Sequence, residues 1–261
     1  MLHIEPVRAF NDNYLWVFNA EGGTAACAVD PGAAAPVLAW LDAAGLQLAA
    51  ILVTHHHGDH IGGIDTLLQR FNVPVYGPAT PRIPQVTHVV ADGDAITVFD
   101  HEFRVLSVPG HTREHIAYVS TTSVTSAGPA LFCGDTLFAA GCGRMFEGTP
   151  TVMHGSLIKL AALPANTQVY CAHEYTLSNL RFAAAVMPDN PDVQDRIRIE
   201  SAKRERDIPT VPSSIGLELR TNPFMRATEP AVIAAALRHN ADAATDPASI
   251  FGVLRQWKDS F

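Results

Sequence analysis

The stretch "ILVTHHHGDHIGG", residues 51–63, constrains this chain more than any other. The apolar run at 50–54 reads as a strand, and it passes straight into four histidines and one aspartate, then into glycine-rich chain. Continued as a strand, His55, His56, His57, Asp59 and His60 would be divided between two faces. Continued as a helix, they would scatter. On a loop leaving a strand end they can converge on one point. Imidazole and carboxylate together suit zinc, iron or manganese. The spacing is not His-Glu-x-x-His, which excludes the metal site built on a single helix. A histidine run can also be a solubility feature or a tag, but this one is internal and sits at a strand-to-helix transition. The chain holds only 12 histidines in 261 residues, so the concentration is local.

Three further candidate ligands each follow an apolar strand-like run. His111 follows "FRVLSVPG", Asp135 follows "ALFCG", and His173 follows "TQVYCA". Strand ends are where a rigid scaffold holds ligands. Each signal alone is weak, and their recurrence beside the first cluster is what gives them weight.

The surrounding pattern is mixed. Runs at 14–18, 25–29, 50–54, 73–76, 103–108, 116–120, 130–133 and 167–171 are apolar, β-branched or aromatic and are expected as strands. Helices are expected over 34–44, ending at Gly45, over 63–70 and over 151–162. From about residue 175 the strand-like runs stop. A helix halted by Pro188 is expected first, then one with Asn190 as N-cap and Pro191 at its first position, then helices over 229–239 and 247–259. This divides the chain into a mixed α/β domain, 1–174, and a small helical domain, 175–261.

Composition excludes several classes. Hydrophobic residues are 48% and charged residues 17%, which is globular and not disordered. The formal net charge of −8 carries no basic stripe, so no nucleic-acid partner is expected. Residues 1–174 hold seven basic against fifteen acidic side chains, and 175–261 hold eleven of each. An anionic ligand would therefore need a local cluster of cations. Cys27, Cys133, Cys142 and Cys171 form no Cys-x-x-Cys pair and are expected as reduced, buried thiols. No basic leader precedes an apolar core at the N-terminus, and no run of about 18 apolar residues occurs. A cytoplasmic location and no membrane partner are the expectations.

Five motifs occur in order: "THHHGDH", "PGHT", "GD" after a strand, "GCGRMFEGT" and "AHEY". They resemble the metallo-β-lactamase superfamily and, within it, the glyoxalase II (hydroxyacylglutathione hydrolase) family. "THHHGDH" is a mark of the superfamily alone; "GCGRMFEGT", "CAHEYTLSNLRFA", "TNPFMR" and "FGVLRQWKDSF" are closer to glyoxalase II and extend the match over nearly the whole chain.

The resemblance implies a four-layer αββα sandwich followed by an all-helical domain, and two divalent metals, zinc foremost, with iron and manganese also suited. It implies His55, His57 and His111 on the first metal, Asp59, His60 and His173 on the second, and Asp135 bridging both. His56 is then a non-ligand, and His115 a structural residue. The implied reaction is hydrolysis of S-(2-hydroxyacyl)glutathione, chiefly S-D-lactoylglutathione, to glutathione and D-lactate. The implied nucleophile is a hydroxide bridging the metals, oriented by Asp59 and Asp135. The glutathione part is implied to meet Arg144, Phe146, Tyr175, Arg255 and Lys258. Arg255 and Lys258 lie three apart on the last expected helix and so share a face. Family members often carry glycine where this chain has Glu114, and some carry tyrosine where it has Phe146, which would remove one hydroxyl contact. A monomer is expected. A glutathione persulfide dioxygenase on the same fold is the alternative, and a metal-binding scaffold without turnover is a second.

Overall fold

The protein is described by a computed structural model covering residues 1–261. It divides into two compact units, Met1–Ser107 with Glu114–Gly134, and Val108–Arg113 with Asp135–Phe261.

The first unit contains, in order, β1 (Leu2–Ala9), β2 (Asn13–Ala20), β3 (Ala25–Val29), α1 (Ala34–Ala44), β4 (Gln47–Leu52), α2 (Gly58–Ile61), α3 (Ile64–Arg70), β5 (Val75–Gly77), β6 (His88–Val89), β7 (Ala95–Val98), β8 (His101–Ser107), β9 (Ile116–Ser120) and β10 (Ala130–Gly134). One sheet runs β1 to β6, antiparallel from β1 to β3 and parallel from β3 to β6. The other runs β10-β9-β8-β7 and is antiparallel. The two sheets meet at Phe18 of β2, which stacks on Phe132 of β10 at 5.4 Å and tilts against Phe103 of β8 at 5.7 Å. On its other face the first sheet buries Ala28, Ile51 and Val53 under Val37 and Leu41 of α1 and Ile64 and Leu67 of α3. Val37 and Leu41 recur four apart, so one helical stripe serves this layer. Gly45 closes α1 at φ 68°, a left-handed conformation that glycine adopts without a Cβ clash.

The second unit contains β11 (Leu137–Phe138), β12 (Gly141–Cys142), α4 (Pro150–Ala161), β13 (Gln168–Cys171), α5 (Thr176–Val186), α6 (Pro191–Arg204), β14 (Ser213–Ser214), α7 (Ile215–Thr221), α8 (Pro230–His239) and α9 (Pro247–Ser260). β11 and β12 form a hairpin, and β13 pairs with β14. The helices close over an aromatic core of Phe182, Phe224 and Phe251, with Phe182 stacked on Phe224 at 5.7 Å.

The expected α1, β3 and β9 coincide with the structure to the residue, and the remaining expected elements are found with ends displaced by up to a few residues. Asn190 caps α6, accepting from the amides of Asp192 and Val193. β1, β6, β7, β11, β12, β14, α2 and α7 were not foreseen. The expectation that strands end near 175 is corrected by β14, two residues long and held by β13. All four cysteines are buried and unbridged. No helix is long and apolar enough to cross a membrane.

Candidate metal centre and substrate face

β3 and β4 are parallel neighbours, so their C-terminal ends lie side by side. β3 delivers Asp30 and β4 delivers Thr54 and His55. Thr54 donates its amide to Asp30 Oδ1 and its hydroxyl to Asp30 Oδ2, each at 2.7 Å. That hydroxyl has spent its proton, so at 3.1 Å it accepts from His55 Nδ1–H. The tautomer leaves His55 Nε2 as a lone-pair donor. It lies 3.1 Å from His57 Nδ1, so two ring nitrogens face a common point. His115 is buried and stacks on His55 at 4.5 Å and 17°, fixing the ring plane.

α2 is four residues long and carries Asp59 and His60. His60 Nδ1 lies 3.1 Å from Asp30 Oδ2, and its Nε2 lies 3.5 Å from Asp59 Oδ2. Asp30 therefore lies beside this ring as well, as a carboxylate placed behind an imidazole. The ligand atoms of Asp30, His55 and His60 all fall within 4.8 Å of one another. His56 turns elsewhere, its Nε2 accepting from Arg82 at 2.9 Å.

In the second unit Asp135 faces two imidazoles. Its Oδ2 is 3.3 Å from His111 Nε2, and its Oδ1 is 3.3 Å from His173 Nε2. His111 Nδ1–H donates to the Arg144 carbonyl at 2.9 Å, which again points Nε2 at the carboxylate. His173 is sandwiched: Tyr175 stacks on it at 4.7 Å and 4°, and Phe138 meets it edge-on at 5.7 Å. All three side chains are buried. The first unit thus groups three buried or half-buried imidazoles with the carboxylates of Asp30 and Asp59, and the second sets two buried imidazoles about Asp135; each is a donor set of the kind that fits borderline divalent metals.

The expected substrate residues also lie in this unit. Phe146 is exposed and lies edge-on to His111 at 5.3 Å. Tyr175 is 37% exposed. Arg255 is only 5% exposed. Its guanidinium donates to the Cys142 carbonyl at 2.9 Å and to Asp259 at 3.0 Å, and lies over the Phe224 ring. Lys258 donates to Ser178 Oγ at 3.1 Å. Arg144 is exposed, with Nε 3.6 Å from Asp259. Burial, then the charges of Arg255, Arg181 and Arg144, push the Lys258 amine below the ordinary lysine range, against the pull of Asp259. One carboxylate thus stands among four cations, a local excess that the whole-chain charge conceals.

Residues 22–173 match the metallo-beta-lactamase superfamily model, and residues 174–261 match the model described as hydroxyacylglutathione hydrolase C-terminus. A hydroxyacylglutathione hydrolase of Nitrosomonas europaea is 50% identical over 264 residues, covering 100% of this chain and 97% of that one. The chain belongs to the hydroxyacylglutathione hydrolase family. Its fold is the metallo-β-lactamase fold with a C-terminal helical region, as the motifs implied. A metallo-beta-lactamase from Staphylococcus aureus superposes with a TM-score of 0.66 at 20% identity, covering 99% of this chain and 71% of that one. A second solved chain, TTHA1623 in a di-iron-bound form, has a TM-score of 0.59 at 26% identity, covering 84% of this chain and 99% of that one.

As a member of this hydrolase family, the chain is a divalent-metal-binding enzyme, and the His/Asp clusters carry that binding. Within each unit the structure brings together the ligands expected from the sequence. Two residues were missed. Asp30 follows the apolar run "AACAV" as Asp135 follows "ALFCG", so the same strand-end signal marks it. Asn13 donates to Asp59 Oδ2 at 2.9 Å from 46 positions away, and nothing local in the sequence announces it.

Proposed function

We propose that this hydrolase cleaves S-(2-hydroxyacyl)glutathione thioesters, chiefly S-D-lactoylglutathione, to glutathione and a 2-hydroxy acid, D-lactate in the chief case. The proposed centre takes two divalent metals, zinc foremost, with iron and manganese suited by the same donors. His55, His57 and His111 would hold the first, Asp59, His60 and His173 the second, and Asp135 both. The observation that carries this is Asp135, whose two oxygens each face a different imidazole at 3.3 Å. A carboxylate so placed can serve two ions at once.

When bound, such a metal pair lowers the pKa of its water and polarises a carbonyl oxygen. The chain's own residues supply the rest. Asp30, through Thr54, holds His55 in the tautomer that keeps Nε2 unprotonated, and its carboxylate also lies 3.1 Å from His60 Nδ1. As ligands, Asp59 and Asp135 would orient the metal pair toward the thioester carbonyl. The leaving group is a thiolate whose parent thiol has a pKa of about 8.5, so the side chains need supply no strong general acid. Arg144, Arg255 and Lys258 bind the carboxylates of the glutathione part, and Phe146 and Tyr175 line its path. Residues 1–174 then act as the catalytic portion and 175–261 as the substrate-binding portion, in a cytoplasmic monomer.

Steady-state hydrolysis of S-D-lactoylglutathione, compared with the same acyl group on a short thiol, tests this with metal-quantified protein. A strong preference for the glutathione ester is expected. Equal rates would discard the cationic substrate face. No turnover of either ester by metal-loaded protein, with oxygen consumption on glutathione persulfide, would replace the hydrolase by a dioxygenase.

A further inference from the structure

We propose that Asn13 is a positioning residue for Asp59 and sets the strength with which the second metal is held. This rests on the assignment of Asp59 to that metal.

Asp59 sits on a four-residue helix, too short to hold a side chain by its own packing, and its side chain is 39% exposed. Two contacts from outside α2 place it. A Cβ at Gly32 would overlap the Asp59 carbonyl, so the loop after β3 lies directly against the Asp59 backbone. The carboxylate is placed by Asn13, whose Nδ2–H donates to Oδ2 at 2.9 Å. That is the oxygen facing His60 Nε2 at 3.5 Å. A carboxylate oxygen has two lone pairs. With one taken by the amide, the Oδ2 edge stays turned toward His60.

Asn13 is itself well anchored. It is 5% exposed and opens β2, paired across the hairpin with Ala9. The three residues between them include Phe10 at φ 52°, an uncommon conformation for a bulky side chain. The hairpin thus holds the amide in place independently of α2. An asparagine suits the task because it donates without adding charge beside Asp59, where a lysine or arginine would compete with a cation for the carboxylate.

The test is metal stoichiometry and chelator competition with zinc on the full chain, comparing Asn13→Ala and the near-isosteric Asn13→Leu with Asn13→Gln, which keeps a donor. In the Ala and Leu variants the first metal should stay at its original affinity and the second should weaken roughly 10–100-fold. Loss of kcat should track the lost occupancy, with KM unchanged, and Asn13→Gln should recover part of the affinity. Thermal melts of metal-free protein identify a variant that fails to fold, and the other variant then decides. Unchanged affinity for the second zinc in a folded Ala or Leu variant overturns the role of Asn13. A parent protein that holds fewer than two zincs overturns the two-metal reading beneath it.

Discussion

Asp30 shows how much one carboxylate can organise. It accepts from the amide and hydroxyl of Thr54, which sets the tautomer of His55, and it lies 3.1 Å from His60 Nδ1, so it stands behind two of the proposed ligands. Asp30→Asn keeps the shape and puts an amide where an acceptor is needed. We expect metal affinity to fall roughly 10–100-fold, read by chelator competition, with KM for substrate unmoved. Lys258 offers a test in pH. Its amine is driven below its usual value of 10.5, first by burial and then by Arg255, Arg181 and Arg144. In the proposed role the charged form binds an anion, so KM should climb as pH rises through a range below 10.5. Lys258→Ala should raise KM about tenfold at neutral pH, the worth of one charge-assisted hydrogen bond, and flatten that climb while leaving kcat nearly intact. The stability sign is opposite. A depressed folded pKa means the charged amine costs the fold stability at neutral pH, and the cost is relieved between the folded value and 10.5. Lys258→Met should therefore melt no lower than the parent at pH 7.

Elements were legible where one periodicity was undisturbed. α1 has its apolar stripe and its glycine stop, and β9 is five buried residues in a row. β1 was not, because it carries Glu5, Pro6 and Arg8. It is an edge strand paired only with β2, where a missing N–H and exposed charges are tolerated. α2 exists because Gly32 admits its backbone, a tertiary cause invisible in four residues of sequence. At the site, ligands that follow apolar strands announce themselves. The burial of Arg255 did not, since a spacing of three shows a shared face and not what covers it. A capping residue is the opposite case, readable and testable. Asn190 accepts from two amides at the start of α6, at 3.0 and 3.3 Å, and donates to the Arg220 carbonyl at 3.0 Å. Asn190→Ala should cost about 1 kcal/mol, a drop of roughly 2–4 °C in Tm by calorimetry, with kcat unchanged.

At the scale of the molecule, the helical C-terminal region does more than carry cations. Glu218 is fully buried and collects the Ala140 amide at 2.8 Å, the Asn222 amide group at 2.9 Å, Arg196 at 2.8 Å and the Ser213 hydroxyl. Asn222 also donates to the carbonyls of Gly141 and Phe138, and Asn179 donates to that of Ala139. The β11–β12 hairpin, with Ala140 at φ 56°, is thus satisfied almost entirely from residues beyond 175. It positions Phe138 against His173 and the Cys142 carbonyl against Arg255. A chain ending at 174 would take these partners from one N–H and four carbonyls of the hairpin, at about 1–3 kcal/mol for each that stayed buried and unpaired. That sum competes with the roughly 5–15 kcal/mol that holds a typical protein folded. Residues 1–174 expressed alone should therefore fail to give a cooperative melt, even though a family boundary falls at 173/174. Glu218→Ala in the full chain should lose about 3–5 kcal/mol, because it strands Arg196 as a buried, unmatched charge. A truncated 1–174 that melts cooperatively near the parent Tm would show that the hairpin finds other partners. A destabilised Glu218→Ala beside an unfolded truncation would show that the C-terminal helices are part of what builds the fold of residues 1–174.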